Sequence, residues 1–278
     1  MHNKLFATLL GTFFLLWGAG ALAGTPVPAV TALETAAYNG DAQALIRLLV
    51  LGQNHNAQAD TALGTLYYLG AGPAHRNYAA AFKWFHRAAQ LNDPRGAFCV
   101  AVLYGNGQGI KQNMAEAAKW FARAAGRGDA QPDFYLGLLY ENGQGVPRDY
   151  AMAARWYQKA ATEAHNAGFS PRFIYDATEG VPFDNAQVMW FHISKPIGEA
   201  GAEEGRAGAE YNLGLMYLTG KGVARNRVGA YQWFSLAAAG GNHLAADNMK
   251  ILARQMSTRE IVQAQAQARL VTAKVPRS

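Results

Sequence analysis

The side chains that most often carry catalytic or metal chemistry are scattered along this sequence of 278 residues. None of the seven histidines lies four residues from another, so the His-Glu-x-x-His pattern of zinc enzymes is absent. The single cysteine, Cys99, allows neither a thiolate cluster nor an intramolecular disulfide, and its apolar neighbours favour a small core residue. Neither Gly-x-Ser-x-Gly nor Ser-x-x-Lys, the motifs of serine hydrolases and penicillin-recognising enzymes, occurs. The sequence therefore predicts no enzyme, no metal site and no cofactor.

Two short segments superficially resemble ligand sites. The glycine-rich residues 105–109 resemble a phosphate-binding loop, but the Lys-Ser/Thr that follows such a loop is missing. Glu199, Glu203 and Glu204 lie close together in the sequence, and a solvated acidic patch is the simpler interpretation. We therefore assign no ligand to either segment.

The elements that would have to position any site are repeated along the chain. Tyrosines recur at Tyr67, Tyr104, Tyr140 and Tyr217, each with glycines three and five residues later; tryptophans follow at Trp84, Trp120, Trp156 and Trp233, each before an Ala-Ala pair. The first three of these tryptophans are spaced 36 residues apart. A fixed period of this length is typical of a solenoid, in which each unit buries its apolar face against its neighbours. We expect the repeated tryptophans to lie in the core.

Each repeat is predicted to be a helix, a glycine-rich turn and a second helix. In the third copy, Leu136 and Leu139 fall on one helical face, and Gly137 beside them leaves room for a second helix to approach. Gly143 can adopt the positive φ that ends a helix, and Asp149 is a good N-cap for the next one. The other copies have asparagine at this cap, at Asn77, Asn113 and Asn226.

The pattern L-G-x-[LM]-Y-x-x-G-x-G, a linker with Asp or Asn, and then A-x-x-W-[FY]-x-x-A-A resembles the Sel1-like repeat, a relative of the tetratricopeptide repeat. The match covers roughly residues 59 to 245. The resemblance implies an all-α fold, a right-handed superhelix of antiparallel helix pairs that presents protein-binding surfaces. Residues 233–258 also resemble the usual end of bacterial Sel1-repeat chains.

The ends of the chain are interpreted separately from the repeats. Residues 1–23 have a basic start, an apolar run and an Ala-x-Ala site, which predicts a signal peptide cleaved after Ala23; an uncleaved anchor is the alternative. A linker at 24–30 and a capping helix pair at 31–57 follow. About five repeats are expected at 58–245 and capping helices at 246–278, which include the capping box Ser257 to Glu260.

The fourth repeat, at about 166–205, is degenerate. Tyr175, Gly180 and Trp190 lie where the pattern expects them, whereas Pro171 and Thr178 depart from it. This region is either a decayed repeat or an adapted one.

The predicted function is that of an exported adaptor or regulator in the bacterial envelope, periplasmic or secreted. A net charge of +6 and a pI near 9.4 suit an acidic protein or an anionic envelope polymer, and export argues against nucleic acid. After cleavage the chain would not be an integral membrane protein. The alternatives are a cell-envelope hydrolase, related to β-lactam or murein chemistry, and a secreted effector that binds a host protein.

The partner-binding residues are predicted from the tetratricopeptide resemblance, in which the first helix of each pair lines the concave face. The residues are Thr65, Tyr68, Phe98, Asn106, Phe134, Glu141, Asn142, Phe169, Asp176 and Tyr211. Phe98, Phe134, Phe169 and Tyr211 occupy one equivalent position, so they form an aromatic stripe. Such a stripe either grips a peptide or partner helix or packs one repeat against the next.

Overall fold

A computed structural model describes residues 29–127, 129–162 and 200–274, and leaves the side chains of 200–204 undescribed. All regular structure in this part of the chain is helical, with twelve helices and no strand. They are α1 (Val30–Tyr38), α2 (Ala42–Gln53), α3 (Ala57–Leu69), α4 (Tyr78–Gln90), α5 (Pro94–Asn106), α6 (Met114–Ala124), α7 (Ala130–Asn142), α8 (Tyr150–Thr162), α9 (Ala200–Thr219), α10 (Arg227–Ala239), α11 (His243–Ala253) and α12 (Thr258–Lys274). The predicted signal peptide lies outside the described residues, and so does most of the degenerate repeat at 166–205. No described helix combines the length and the apolar character that crossing a membrane requires.

The helices form successive pairs, which confirms the predicted all-α solenoid. The pairs are α3 with α4, α5 with α6, α7 with α8, and α9 with α10, and each pair contacts the next. We call them the first, second, third and last repeats of the described array. Helices α1 and α2 pack on α3 at one end, and α11 and α12 pack on α10 at the other.

The helix boundaries follow from local sequence signals. The side chains of Asn77, Asn113 and Asn226 accept hydrogen bonds from backbone N–H groups at the start of α4, α6 and α10, as predicted. Gly70, Gly107 and Gly143 end α3, α5 and α7 with φ between +68° and +69°. At the C-terminal end, the Ser257 N–H donates to Glu260 Oε2 (2.8 Å) and the Glu260 N–H donates to Ser257 Oγ (3.3 Å), which confirms the capping box.

The two helices of a repeat pack through the residue after the tryptophan, not through the tryptophan itself. Phe85, Phe121, Tyr157 and Phe234 are fully buried, whereas Trp84, Trp120 and Trp156 are half-buried. A Cβ atom at Gly137 would lie 2.6 Å from the Tyr157 ring, so the missing side chain does permit this close approach. The expectation of core tryptophans is therefore fully confirmed for Trp233, which is 4% exposed, whereas the first three tryptophans pack against the core at its edge.

The second glycine of each turn packs closely against the backbone of the previous repeat. A Cβ atom at Gly109 would lie 2.4 Å from the Tyr78 carbonyl oxygen, and one at Gly145 would lie 2.2 Å from that of Met114. The turn of the last repeat makes the same contact, because a Cβ atom at Gly222 would lie 2.2 Å from the Tyr150 carbonyl oxygen. Helix α9 also contacts both α7 and α8. The third and last repeats are therefore immediate neighbours in the array.

Candidate partner-binding surface

The aromatic stripe predicted on the first helices packs against the second helix of its own repeat. The ring centroids of Phe98 and Phe121 lie 5.6 Å apart, and those of Phe134 and Tyr157 lie 5.9 Å apart. Tyr211 makes the equivalent contact with Phe234 in the last repeat (5.9 Å). Phe98 is 3% exposed, whereas the other two members are half-buried. These contacts lie within one repeat, whereas the alternative to partner binding was packing between repeats. Phe98 also makes that kind of contact, because its ring centroid lies 5.9 Å from that of Tyr135 in the third repeat.

The polar residues predicted in the first two repeats make intramolecular contacts. Thr65 is buried, and its hydroxyl donates to the Thr61 carbonyl (3.0 Å). Tyr68 is also buried, and its hydroxyl donates to Gln108 Oε1 (3.1 Å), which also accepts from Asn106 Nδ2 (3.1 Å). This shared oxygen links the first helix of one repeat to the turn of the next.

In the third repeat, Glu141 accepts a hydrogen bond from the Tyr157 hydroxyl (2.6 Å). Burial and the Glu141 carboxylate raise the pKa of Tyr157 well above its usual value. Asn142 is exposed and donates to the Leu138 carbonyl (2.9 Å). The other two predicted residues, Phe169 and Asp176, lie outside the described part of the chain.

A different surface is formed by the second helices. Three residues after each half-buried tryptophan comes a basic residue whose cation lies against the indole ring. The cation–centroid distances are 4.5 Å for Arg87 on Trp84, 5.1 Å for Arg123 on Trp120 and 4.8 Å for Lys159 on Trp156. These pairs repeat the same cation–π geometry along the array, with half-buried rings at the surface.

Two of the three cations are neutralised by a buried carboxylate from the first helix of the same repeat. The Arg87 guanidinium lies 2.5 Å from Asp60 Oδ1, and the Lys159 ammonium lies 3.1 Å from Asp133 Oδ1. Both carboxylates are 0% exposed. Burial raises the pKa of Asp133, while hydrogen bonds from the Gly126 N–H and from Lys159 oppose this shift.

The second repeat lacks this carboxylate. Ala97 occupies the position equivalent to Asp60 and Asp133. Arg123 is exposed, and one of its guanidinium nitrogens donates to Asn92 Oδ1 (3.2 Å). Within the described residues no carboxylate pairs with Arg123. This cation therefore remains available for an anionic group from outside the chain.

A chain of half-buried aromatic rings at the junction of the first and second repeats ends at Trp120, over which Arg123 lies. Phe82 stacks on the His86 ring (5.6 Å between centroids) and meets Tyr104 edge-on (5.4 Å). His86 in turn meets Trp120 edge-on (5.3 Å). We call Phe82, His86, Tyr104, Trp120 and Arg123 the junction patch.

Two members of the junction patch distinguish it from the other repeats. Phe82 corresponds to Ala118 and Ala154 in the next two repeats. His86 likewise corresponds to Ala122 and Gln158. Burial, and then the nearby charge of Arg123, lower the pKa of His86, so the imidazole is neutral at neutral pH. The junction patch thus combines apolar rings with one unneutralised cation.

In the last repeat the equivalent face is covered by the chain's own helix α12. Leu236 replaces the basic residue there, and Trp233 and Leu236 belong to one apolar cluster with Ala268 and Val271 of α12. Leu236 of α10 and Arg269 of α12 line the same groove. The second-helix face is therefore able to accept a packed helix.

The described residues hold no group of three or more histidine, cysteine and acidic side chains suited to a metal ion. Cys99 is fully buried, and burial raises the pKa of its thiol well above the usual value, which disfavours the reactive thiolate. The junction patch offers apolar area, one cation and hydrogen-bonding groups, which suits binding.

The junction patch was not predicted, because all tryptophans were expected in the core and binding residues were sought only on the first helices. Alignment of the four repeats that the structure describes places Asp60, Ala97, Asp133 and Glu210 at one position, so among these four the second repeat lacks an acid there.

Comparisons with known proteins agree with this architecture. A family model described as Sel1 repeat matches residues 57–93, 95–129, 133–165 and 207–242. A search of the curated proteins found no match.

Among solved structures, the chain is similar to a Sel1 repeat protein from Oxalobacter formigenes, with 22% sequence identity and a TM-score of 0.56. The match covers 80% of this chain and 59% of that chain. A protective antigen present in uropathogenic Escherichia coli strains is 23% identical, with a TM-score of 0.46 over 89% of this chain and 61% of that chain. The chain thus spans about three fifths of the length of both. The first of these similarities supports the solenoid fold.

Proposed function

This chain belongs to the Sel1 repeat family, and on that premise we propose that it is an exported adaptor that binds a partner protein in the bacterial cell envelope. Sel1 repeat proteins are in general protein-interaction scaffolds, and their fold is typically non-catalytic. The signal-peptide pattern at 1–23, with its Ala-x-Ala site, supports export.

The observation that carries the binding role is the junction patch. Tryptophan, tyrosine and arginine are the residue types that dominate binding energy in protein interfaces, and the patch contains one of each. Its aromatic rings are half-buried in the isolated chain, so a partner would remove further apolar area from water. The Sel1 repeats hold these side chains on packed helices, which reduces the conformational entropy lost on binding.

The mechanism is non-covalent capture on a preformed surface. Trp120 and Phe82 would supply apolar contact, and Arg123 would fix the orientation of the partner by a charged hydrogen bond. Glu141, Asn142 and Tyr211 remain predicted partner contacts on the first helices, separate from the junction patch.

In-cell crosslinking followed by purification from the envelope fraction tests this function. We expect one stoichiometric protein partner with the native chain and its loss with Trp120→Ala. Phe121→Ala serves as a control for misfolding, because it truncates a fully buried ring and should destabilise the fold by about 3–5 kcal/mol. Trp120→Ala should keep native thermal stability much more closely, since its ring is half-buried.

Two outcomes would contradict the proposal. Co-purification of glycan or lipid without protein would favour an envelope polymer as the ligand. Turnover of a chromogenic β-lactam or of murein would support the hydrolase alternative instead. N-terminal sequencing of the mature protein tests export separately, because cleavage after Ala23 should leave Gly24 as the first residue.

A further inference from the structure

We propose that the junction patch binds an acidic amphipathic helix of the partner protein, with one carboxylate of that helix on Arg123. This inference rests on the proposed adaptor function and specifies the chemistry of the partner. It follows from three features of the described residues, namely a missing internal acid, an aromatic surface beside it and a helix that already covers the same face in the last repeat.

The missing acid defines the charge of the partner. In the first and third repeats, a buried aspartate from the first helix neutralises the base of the second helix. In the second repeat, Ala97 takes the place of this aspartate and leaves Arg123 without an ion pair in the described part of the protein. A carboxylate supplied by a partner would restore the pairing that the other repeats make internally.

The neighbouring rings define the apolar part of the partner. The His86 ring contacts both Phe82 and Trp120, and the Arg123 guanidinium lies over the Trp120 ring. Because these rings are half-buried, apolar side chains of a partner would remove further ring surface from water. A partner that carries apolar residues next to a carboxylate therefore matches the patch.

The last repeat shows why the partner segment is a helix. There, α12 packs on the second helix, and Ser235 and Leu236 line one groove together with residues of α12. These two positions correspond to His86 in the first repeat and to Arg123 in the second. The junction patch thus includes positions equivalent to those beside which the chain already packs a helix, and the change from Leu236 to Arg123 replaces an apolar side chain with a charged one.

A synthetic peptide with the sequence of α12, residues 258–274, is the probe. In its own site Arg269 lines the same groove as Leu236, so we expect Arg269→Glu in the peptide to bring a carboxylate towards Arg123 of the junction patch. Fluorescence anisotropy with a labelled peptide should show about tenfold tighter binding of the Arg269→Glu peptide than of the unmodified peptide. The Arg123→Glu protein should reverse this preference. The Arg155→Glu protein, altered at an exposed arginine of α8, should retain it.

A third peptide separates a helix from an extended segment. Ala266→Pro, added to the Arg269→Glu peptide, breaks the helix and keeps the charge, so its binding should fall about tenfold or more. Equal affinity of this peptide would overturn the helical assignment. Equal affinities of the unmodified and the Arg269→Glu peptides, or no binding of any peptide at millimolar concentration, would overturn the charge assignment.

The crosslinking and peptide experiments together distinguish a failure of this inference from a failure of the adaptor function. If the crosslinked partner is retained by the Arg123→Glu protein, the adaptor function stands and the junction patch is not its acidic-helix site. If the charge preference of the peptides holds but cells yield no protein partner, the surface chemistry stands and the adaptor function falls.

Discussion

At the scale of single residues, the buried ion pairs of the first helices determine which changes the fold tolerates. Asp60 is 0% exposed, while the Arg87 side chain is 33% exposed and also donates to the Gly52 carbonyl. Removing the base would leave a carboxylate enclosed without its cation. Removing the acid would leave a guanidinium that still reaches water and a backbone oxygen. The two halves of the pair are therefore unequal in their expected effect on stability.

We expect Arg87→Met to lower the free energy of unfolding by about 3–5 kcal/mol, because it leaves a buried charge uncompensated. Asp60→Asn should cost less, about 1–2 kcal/mol, since it removes the charge that needs a partner. Urea unfolding followed by circular dichroism measures both. The matched control is Lys250→Met, which breaks the ion pair between Lys250 and Asp247. Both of these side chains are about 70% exposed, so the free energy of unfolding should change by no more than about 0.5 kcal/mol. Equal costs for the three variants would argue against the buried pairing.

His86 should make stability depend on pH below neutrality. Burial, and then Arg123, lower its folded pKa, so the unfolded chain binds the proton more readily. The stability that His86 contributes is fully present above about pH 6.5, the pKa of histidine in the unfolded chain. It is lost as the pH falls below this value towards the lower pKa of the folded state. His86→Phe should flatten the fall in thermal midpoint between pH 7.5 and 5. His75→Phe, at an exposed histidine, should leave the native pH dependence unchanged.

At the scale of elements, the glycine-rich turns act at two separate places. Gly143 ends α7 with φ +69°, and a Cβ atom there would meet the Arg148 side chain at 3.0 Å. Gly145 has φ +71°, and a Cβ atom there would meet the backbone of the preceding repeat at 2.2 Å. The first glycine therefore ends its own helix, and the second permits close contact between two repeats.

We expect Gly145→Ala to lower the free energy of unfolding by more than about 2 kcal/mol, because the new methyl group is strained at positive φ and overlaps the Met114 carbonyl. Gly143→Asn should cost less, about 1 kcal/mol, since asparagine tolerates this conformation and the nearest atom, Arg148 Cβ, lies at 3.0 Å instead of the 2.2 Å found at Gly145. Thermal unfolding of the two variants gives the comparison. A larger loss for Gly143→Asn would refute the assignment of Gly145 to the contact between repeats.

The helix pairs and their caps could be predicted from the sequence because their causes are local. Asn113 caps α6 through backbone groups two and three residues away, and Gly143 ends α7 through its own φ. The burial of Trp120 could not be predicted in this way. Its exposure depends on whether another helix covers the second-helix face, as α12 covers Trp233, and the periodic pattern is identical in both cases. The junction patch was harder still, since it depends on contacts between side chains of two repeats.

At the scale of the whole molecule, the third and last repeats contact each other directly, although residues 163–199 lie between them in the sequence. Helix α9 packs on α7 and α8. The turn at Gly222 contacts the start of α8, and the turns at Gly109 and Gly145 contact the starts of α4 and α6 in the same way. The family model likewise matches 133–165 and 207–242 and leaves the residues between them unmatched.

Replacement of residues 166–196 by a Gly-Ser linker of about twelve residues should therefore preserve the array. We expect the thermal midpoint to stay within about 4 °C of the native value and unfolding to remain a single transition, because the contacts of Gly222 with Tyr150 are untouched. Deletion of residues 94–129 is the control, since it removes a stacked repeat of similar length that contains the buried Phe98 and Phe121. That deletion should lower the midpoint strongly. If the linker variant instead loses the last repeat as a separate early transition, the direct contact between the third and last repeats is insufficient to hold the array together.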